Sequence, residues 1–385
     1  MNQIYDSIVI GGGVIGGSIA YQLARRGQNV LLIEKDRIAS KASSAAAGML
    51  AVQAELEEEN PLFYSAIQSR NMFPNLSEEI LDTCGIDIEL INRGMYKVAV
   101  SNKEVEDYQQ ILSSQKKTGQ KAEWMSQDQL LEGEPYLSDE VLGAMFLEND
   151  GQVSAPQLTN GMIKAAIVFG AEVKEFTDVE SLLLKKGRVV GVKTNEGDFH
   201  SENVVVTTGA WSRGLLRETG LNLNVYPVKG ECLSVTTNKP ILSRTIFSDG
   251  CYLVPKRGNR ILVGASVKPY TFNQQVSAHS ISMLLDKAIK LLPKIKDAEW
   301  EKAWAGIRPQ TEDGLPYLGE HPDYRGLFVA TGHFRNGILL SPITGVVMAD
   351  LMERQSPTID ISAFRLDRHD RLYVNQKEVS NEFIH

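Results

Sequence analysis

Cysteine is scarce and ill-spaced: Cys84, Cys232 and Cys251 are the only three, an odd number with no C-x-x-C pair. That excludes a disulfide framework and a zinc site, so no metal is expected, and it points to a reducing, cytoplasmic setting. No apolar run approaches the ~18–20 residues that a bilayer-spanning helix needs. The apolar start, Ile4 to Ile10, lacks a basic leader and a small-residue cleavage site, so it reads as a strand and not as a signal peptide. Long basic blocks are missing too, and the net charge is -8. Neither nucleic acid nor an anionic membrane surface is therefore expected as a partner. No repeat or low-complexity tract stands out.

What is present is ordinary for a folded soluble chain: 43% hydrophobic and 23% charged residues, in 385 residues that suffice for two cooperating domains. The strand Ile4 to Ile10 runs into Gly11, Gly13 and Gly16, a G-x-G-x-x-G pattern. Val14 and Ile15 then open a helical periodicity that reaches Arg26 and stops at Gly27, and Asn29 to Ile33 is a second strand. Strand, crossover helix and parallel strand make one right-handed βαβ unit. The glycines allow a tight turn and close backbone approach, while the helix N-terminus offers N–H donors and a partial positive charge to a pyrophosphate. Glu34, at the end of the second strand, can accept hydrogen bonds from ribose hydroxyls. A glycine-rich turn followed by an exposed glutamate is the bland alternative.

Further along, Leu62 to Cys84 is helical, Ile86 to Val100 reads as strands about a turn at Arg93-Gly94, and amphipathic stretches cover Lys103 to Lys117 and Ser126 to Leu131. Gly143 to Glu148 is an apolar strand; Gln157 to Phe169 is helical; strands flank Lys186-Gly187, and Val204 to Thr207 is apolar. Several strands with a turn at Arg257-Gly258-Asn259 fill Val225 to Gly264, followed by a helix from Ile281 to Leu292. Leu327 to Thr331 is a strand and Ile338 to Met352 a helix. The predicted fold is α/β: a discontinuous Rossmann-like nucleotide-binding domain (1–90, 145–222 and 325–370), a second domain of antiparallel sheet with helices (91–144 and 223–324), and a polar tail (371–385). The acidic run Glu55, Glu57, Glu58 and Glu59 reads as a solvated helix face, or as part of a site entrance.

The glycine fingerprint does not separate FAD from NAD. Three further segments, Ser43-Ser44-Ala45-Ala46-Ala47-Gly48-Met49, Thr207-Thr208-Gly209-Ala210-Trp211-Ser212 and Gly332-His333-Phe334-Arg335-Asn336-Gly337-Ile338, resemble the FAD-binding segments of the D-amino acid oxidase and sarcosine oxidase family. The likeness runs nearly end to end and includes Pro227-Val228-Lys229-Gly230-Glu231-Cys232 and Trp304-Ala305-Gly306-Ile307-Arg308-Pro309. It implies that the two domains bind FAD and substrate respectively. The cofactor contacts it implies are Gly11, Gly13, Val14, Ile15, Gly16, Glu34, Lys35, Ala42, Ser43, Ala47, Gly48, Met49, Val179, Gly209, His333, Phe334, Arg335, Asn336, Gly337, Ile338 and Leu339. Small residues at Ala45 to Gly48 suit the close approach of a flat ring, although a plain flexible loop looks the same. The run Gln310-Thr311-Glu312-Asp313 lacks the cysteine to which relatives attach flavin, so the FAD is expected to be non-covalent.

The same resemblance implies Arg308 and Tyr252 as the groups that hold a substrate carboxylate, with Arg335 capping the flavin loop or facing the substrate. A guanidinium offers the two-pronged grip such an anion needs. Taken alone, Arg308 reads as a structural ion-pair partner, Tyr252 as a core tyrosine and Arg335 as a surface residue of a helix-capping loop. His333 suits backbone positioning and is not expected to act as a base. Gly250 and Val267, in strands expected to line the pocket, supply no polar group. The implied reaction is oxidative deamination of glycine and other small amines or amino acids by hydride transfer to the flavin. Molecular oxygen is the expected acceptor, giving an imine or oxo acid (glyoxylate), ammonia and hydrogen peroxide, with the imine available for thiazole formation in thiamine biosynthesis. Sarcosine or D-amino acids as substrates, a dehydrogenase serving another acceptor, and a flavin-binding scaffold without turnover stay open. Relatives imply a homotetramer.

Overall fold

The computed structural model describes residues 4–56 and 59–369. Over these, the chain divides into two compact units: Met1–Ser40, Thr159–Tyr226 and Pro309–His385 in one, Lys41–Leu158 and Pro227–Arg308 in the other.

The first unit opens with strand β1 (Ile4–Ile10), helix α1 (Val14–Arg25) and strand β2 (Val30–Ile33). All four residues of β2 and the last four of β1 are buried, the near-continuous apolar run that a parallel strand covered on both faces requires. β1 and β2 pair in parallel, from Ser7 opposite Val30 to Ile10 opposite Ile33, which makes α1 the crossover. Gly197–Val206 lies parallel on the other side of β1, Leu327–Thr331 beyond it, and Glu172–Lys174 beyond β2. Tyr317–Glu320 adds an antiparallel edge, and Val179–Lys185 and Arg188–Thr194 form a hairpin joined to Gly197–Val206. Ile8, Ile10, Leu31, Ile33, Val204, Val206, Leu327 and Val329 share one core cluster, each fully buried apolar side chain contributing ~1.5–3 kcal/mol. Helix Gly337–Met352 lies against α1, where Ser18 Oγ donates to Ser341 O at 2.7 Å.

The second unit is built on a nine-stranded sheet. Its order is Lys268–Pro269, Val225–Thr236, Arg260–Gly264, Cys251–Lys256, Thr245–Ser248, Met95–Ala99, Gly143–Leu147, Ala122–Ser126, with Glu299–Thr311 also pairing with Val225–Thr236. From Lys268–Pro269 to Ala122–Ser126 neighbouring strands run antiparallel, except that Thr245–Ser248 and Met95–Ala99 are parallel. Helix Ala278–Leu291 starts at the cap of Ser277, whose Oγ accepts from Ser280 N at 3.3 Å. It buries Leu284, Ala288 and Leu291 in a cluster with Leu233, Val235, Leu253, Ile261 and Val263. The long helix Pro61–Cys84 begins at Asn60, whose side chain accepts from Phe63 N, and ends at Gly85 in the left-handed region, φ 73°.

The α/β class is as expected, but several local readings need correction. Gly143–Leu147, placed from residue 145 onward with the nucleotide-binding half, pairs with Met95–Ala99 and Ala122–Ser126 in the second unit. An apolar run carries no information about which sheet it joins. Residues 41–90 likewise fall in the second unit. Within Ile86 to Val100 only Met95–Ala99 is a strand. Upstream, Asp87 Oδ1 accepts from Glu89 N at 2.7 Å and Glu89 sits at φ 56°, a side-chain turn that breaks the extended chain. Gly250 and Val267 are in no strand: Gly250 is a hairpin turn residue at φ 68°, and Val267 lies 56% exposed in the loop after Gly264. Of the acidic run, Glu55 ends the short helix Val52–Glu55 and Glu59 precedes the next helix, so they share no helix face. Glu57, Glu58 and the tail 371–385 lie outside the described residues.

The contact between α1 and helix Gly337–Met352 depends on Gly345, because a Cβ there would press on Ser18 Oγ and stand 2.8 Å from Ser18 O. Gly345→Ala is expected to lower unfolding stability by ~1–3 kcal/mol, read from denaturant midpoints at unchanged slope.

Candidate active site

In the first unit the expected cofactor residues follow the C-terminal ends of neighbouring parallel strands, the edge at which open α/β sheets bind ligands. Gly11, Gly13 and Gly16 follow β1, Glu34 follows β2, Gly209 follows Gly197–Val206, and His333 to Leu339 follow Leu327–Thr331. Gly11 holds φ 111°, and a Cβ there would stand 2.8 Å from Thr207 O. A Cβ on Gly16 would collide with Gly11 O and stand 2.6 Å from Thr207 Oγ1. Only glycine fits these two positions. Gly13 is the N-cap of α1 and makes no side-chain cap bond, and a helix N-terminus reached by a glycine turn suits an anion. Glu34 turns back onto the turn: Oε2 accepts from Gly12 N at 2.7 Å and Oε1 from Asp36 N at 2.9 Å. Its carboxylate is thereby fixed at the mouth of the turn with lone pairs to spare. Lys35 Nζ pairs with Asp178 Oδ2 at 2.7 Å on the surface, next in sequence to Val179.

Gly209, at φ 56°, begins a short 3₁₀ turn, and its carbonyl accepts from Thr331 Oγ1 at 2.9 Å. Phe334–Asn336 form another 3₁₀ turn that runs into helix Gly337–Met352, whose N-cap Asn336 makes no side-chain cap bond. Arg335 is exposed there. His333 is buried with Nε2 3.1 Å from Thr344 Oγ1, and burial pushes its pKa down from 6.5 to about 3. The neutral imidazole ties the loop to helix Gly337–Met352 through Thr344. This combination of glycine cradle, uncapped helix start and fixed carboxylate fits an adenine dinucleotide such as FAD. Sequence reasoning missed Thr207, whose Oγ1 donates to Ile10 O at 2.8 Å and fills the space behind Gly11 and Gly16.

In the second unit Arg308, Tyr252 and the loop Ala42–Met49 come together on one strand face. A Cβ built on Gly230 would fall on the Arg308 guanidinium, meeting Cζ and both terminal nitrogens alike, so the flat group rests on the bare Gly230 backbone. Arg308 Nη1 donates to Ser266 O at 3.3 Å, leaving four of its five N–H groups for other acceptors. Tyr252 stands opposite Gly264 on the neighbouring strand, and its ring passes over that glycine. Its hydroxyl ends 3.4 Å from Cys232 Sγ. Gly230 and Cys232 are two residues apart on one strand and therefore share a face, so the guanidinium and the hydroxyl stand at successive positions of that face.

Trp304 Nε1 donates to Ala45 O at 3.0 Å, and Gly306, two residues before Arg308, leaves room for Ala45. Ala42 and Ser43 form the first turn of this loop, and Ala47 and Met49 pack with Cys232, Tyr252 and Val254. Gly48, at φ 82°, is pinned by Val153 N donating to its carbonyl at 2.8 Å. The glycine seat, Ser266 and Trp304 were missed as site residues, although Gly230 and Trp304 lie in segments that carry the family likeness. Among the described residues, no group of three or more His, Cys, Asp or Glu side chains could hold a metal, and no helix is long and apolar enough to cross a membrane.

A glycine cradle at the strand edge and a guanidinium above a bare strand suit an oxidoreductase that binds a dinucleotide. The chain belongs to the family described as DAO, FAD dependent oxidoreductase, which it matches over residues 6–351, and its cofactor is FAD. Among its relatives is the glycine oxidase of Geobacillus kaustophilus (strain HTA426), 47% identical over 96% of this chain and 98% of that protein. The crystal structure of glycine oxidase from Geobacillus kaustophilus superposes with TM-score 0.93 at 46% identity, covering 96% of this chain and 100% of that one. The bifunctional protein ThiO/ThiG of Trichormus variabilis is 34% identical over 95% of this chain, which spans 55% of that longer relative.

The depressed pKa of His333 sets a pH signature. The unfolded chain takes up a proton below pH 6.5 that the folded chain refuses until about pH 3, so the stability supplied by the neutral ring is whole above 6.5 and lost as pH falls. Between pH 7.5 and 5 the native chain should lose about 2 kcal/mol more unfolding free energy than His333→Asn, measured by denaturant titration at both pH values.

Proposed function

We propose that the protein is a glycine oxidase, catalysing oxidative deamination of glycine and other small amines or amino acids. Water and oxygen are consumed, and glyoxylate, ammonia and hydrogen peroxide are formed. The observation that carries this reading is the Arg308 guanidinium resting on Gly230 on the strand face shared with the Tyr252 hydroxyl. An amino acid is an anion at one end and an amine at the other, and this pair suits the anionic end. The long likeness to the glycine oxidase of Geobacillus kaustophilus supports the substrate.

FAD, when bound, supplies the two-electron acceptor that turns the amine into an imine and passes the electrons to oxygen. The chain's own residues bind and orient. Arg308 donates two parallel N–H bonds to the substrate carboxylate and Tyr252 adds a hydroxyl donor, which fixes the α-carbon and leaves the amine free to lose its proton. The glycines Gly11, Gly13 and Gly16, the α1 N-terminus at Val14 and Ile15, and Glu34 hold the dinucleotide. We keep Lys35, Ala42, Ser43, Ala47, Gly48, Met49, Val179, Gly209 and the loop from His333 to Leu339 as further cofactor contacts, non-covalent throughout, with Arg335 beside the substrate. On this reading the first unit is the FAD-binding domain and the second the substrate-binding domain. The imine feeds thiazole formation for thiamine, a role that likeness to a ThiO/ThiG protein supports. We also propose a cytoplasmic homotetramer with no membrane or nucleic-acid partner; Cys84, Cys232 and Cys251, none of them in a disulfide, suit a reducing compartment.

An aerobic assay with glycine should yield glyoxylate and hydrogen peroxide in equal amounts. Arg308→Ala should keep its FAD absorbance while the Michaelis constant for glycine rises roughly 10- to 150-fold, the value of a charge-assisted pair. Absence of peroxide with glycine, or loss of FAD from the variant, would refute the assignment.

A further inference from the structure

Behind the Arg308 seat lies a buried polar cluster with no part in the reaction as derived above. Glu231, next to Gly230, is fully buried. Its Oε1 accepts from Ser277 N at 2.6 Å and pairs with Lys229 Nζ at 3.2 Å; its Oε2 accepts from Ser266 Oγ at 2.9 Å and pairs with Lys268 Nζ at 3.1 Å. Burial alone would raise its pKa, but hydrogen bonds from Ser280, Ser277 N, Ser266 and Lys268 outweigh that and hold the carboxyl below the usual range. The backbone repeats the connection, with Glu231 N donating to Ser266 Oγ at 2.9 Å and Ser266 N to Glu231 O at 3.1 Å. Lys229 Nζ, itself buried, also donates to Gln275 O.

Three hydrogen bonds thus fasten Ser266 to Glu231, and Ser266 is the residue whose carbonyl receives Arg308 Nη1. Ser266 lies in a loop with no ladder of its own, between Gly264 and Lys268, so nothing in regular structure would fix that carbonyl. The guanidinium is then bounded below by Gly230 and along one edge by Ser266 O, and both boundaries are carried by the two adjacent residues Gly230 and Glu231.

We propose that Glu231 and Ser266 are positioning residues for the substrate-binding guanidinium, Glu231 acting through Ser266 to hold Arg308 in the orientation that grips a carboxylate. This rests on the reading of Arg308 as the substrate anchor. A buried carboxylate paired with two lysines and supplied with a full set of donors is a costly feature for a plain core position, and a rigid neighbour for a binding side chain is one use that repays it. Small displacements of a binding group lower affinity for the bound anion without touching the chemistry that follows.

The test uses the FAD-loaded enzyme and acetate, a carboxylate with no amine to oxidise, whose binding is followed by the change in the visible spectrum. Glu231→Gln removes the charge, while Ser266→Ala keeps every charge and removes only the hydroxyl, so the second variant decides if the first fails to fold. In both, the acetate dissociation constant and the Michaelis constant for glycine should rise together, on the order of tenfold for Glu231→Gln and about threefold for Ser266→Ala, with kcat within about twofold. Acetate binding as in the native enzyme in these variants, alongside weakened binding in Arg308→Ala, would overturn the positioning role and leave the anchor intact. So would a fall in kcat or in melting temperature with acetate affinity unmoved. Unchanged acetate binding in Arg308→Ala itself would overturn the anchor and the positioning role together.

Discussion

A flat cation lying on a strand with no side chain beneath it is the contact on which the proposed substrate site depends. Arginine is bulky and loses much side-chain freedom when it is fixed, so it holds one orientation only where neighbours bound it closely. Gly230 supplies the floor and Ser266 O one edge. Any larger residue at 230 would occupy the place of the guanidinium itself. Strand periodicity does the rest: Gly230 and Cys232 face the same way, so the Tyr252 hydroxyl, reaching across Gly264 to Cys232, lies on the face that carries the cation.

The first unit solves a different problem by similar means. There the proposed ligand is the FAD dinucleotide, and what it needs is exposed backbone N–H groups and the absence of Cβ atoms. Thr207 closes the space behind Gly11 and Gly16, and α1 begins at Gly13, which adds no side chain of its own. Buried and neutral, His333 stiffens the loop at the start of helix Gly337–Met352 without adding charge. Missing side chains, at Gly11, Gly16, Gly230, Gly264 and Gly306, recur wherever a functional group or backbone must come close.

How far the amino-acid sequence reveals this depends on whether a feature is local. Gly11, Gly13, Gly16 and Glu34 are legible because strand, turn, helix and acid follow one another directly, each with its own periodicity. Arg308 and Tyr252 are legible only through the family likeness, since nothing near either in sequence tells an anchor from a core residue. Illegible features come from pairing between distant segments. Gly143–Leu147 is recognisable as a strand but not as a partner of Met95–Ala99. Gly250 and Val267 lie near the right strands, yet a hairpin turn and a loop put them outside the ladders. The connection from Glu231 to Ser266 spans 35 residues, and no spacing rule announces it.

The central claim is that the guanidinium must rest on a bare strand for the enzyme to hold its substrate. Gly230→Ala tests it most directly, because the new methyl meets the Arg308 guanidinium while the backbone at 230 is not in the left-handed region, so the change asks nothing of the fold. The account predicts a Michaelis constant for glycine raised by at least roughly tenfold, with FAD content and melting temperature as in the native enzyme. A Michaelis constant that stays where it was, in a fully loaded and equally stable variant, would contradict it.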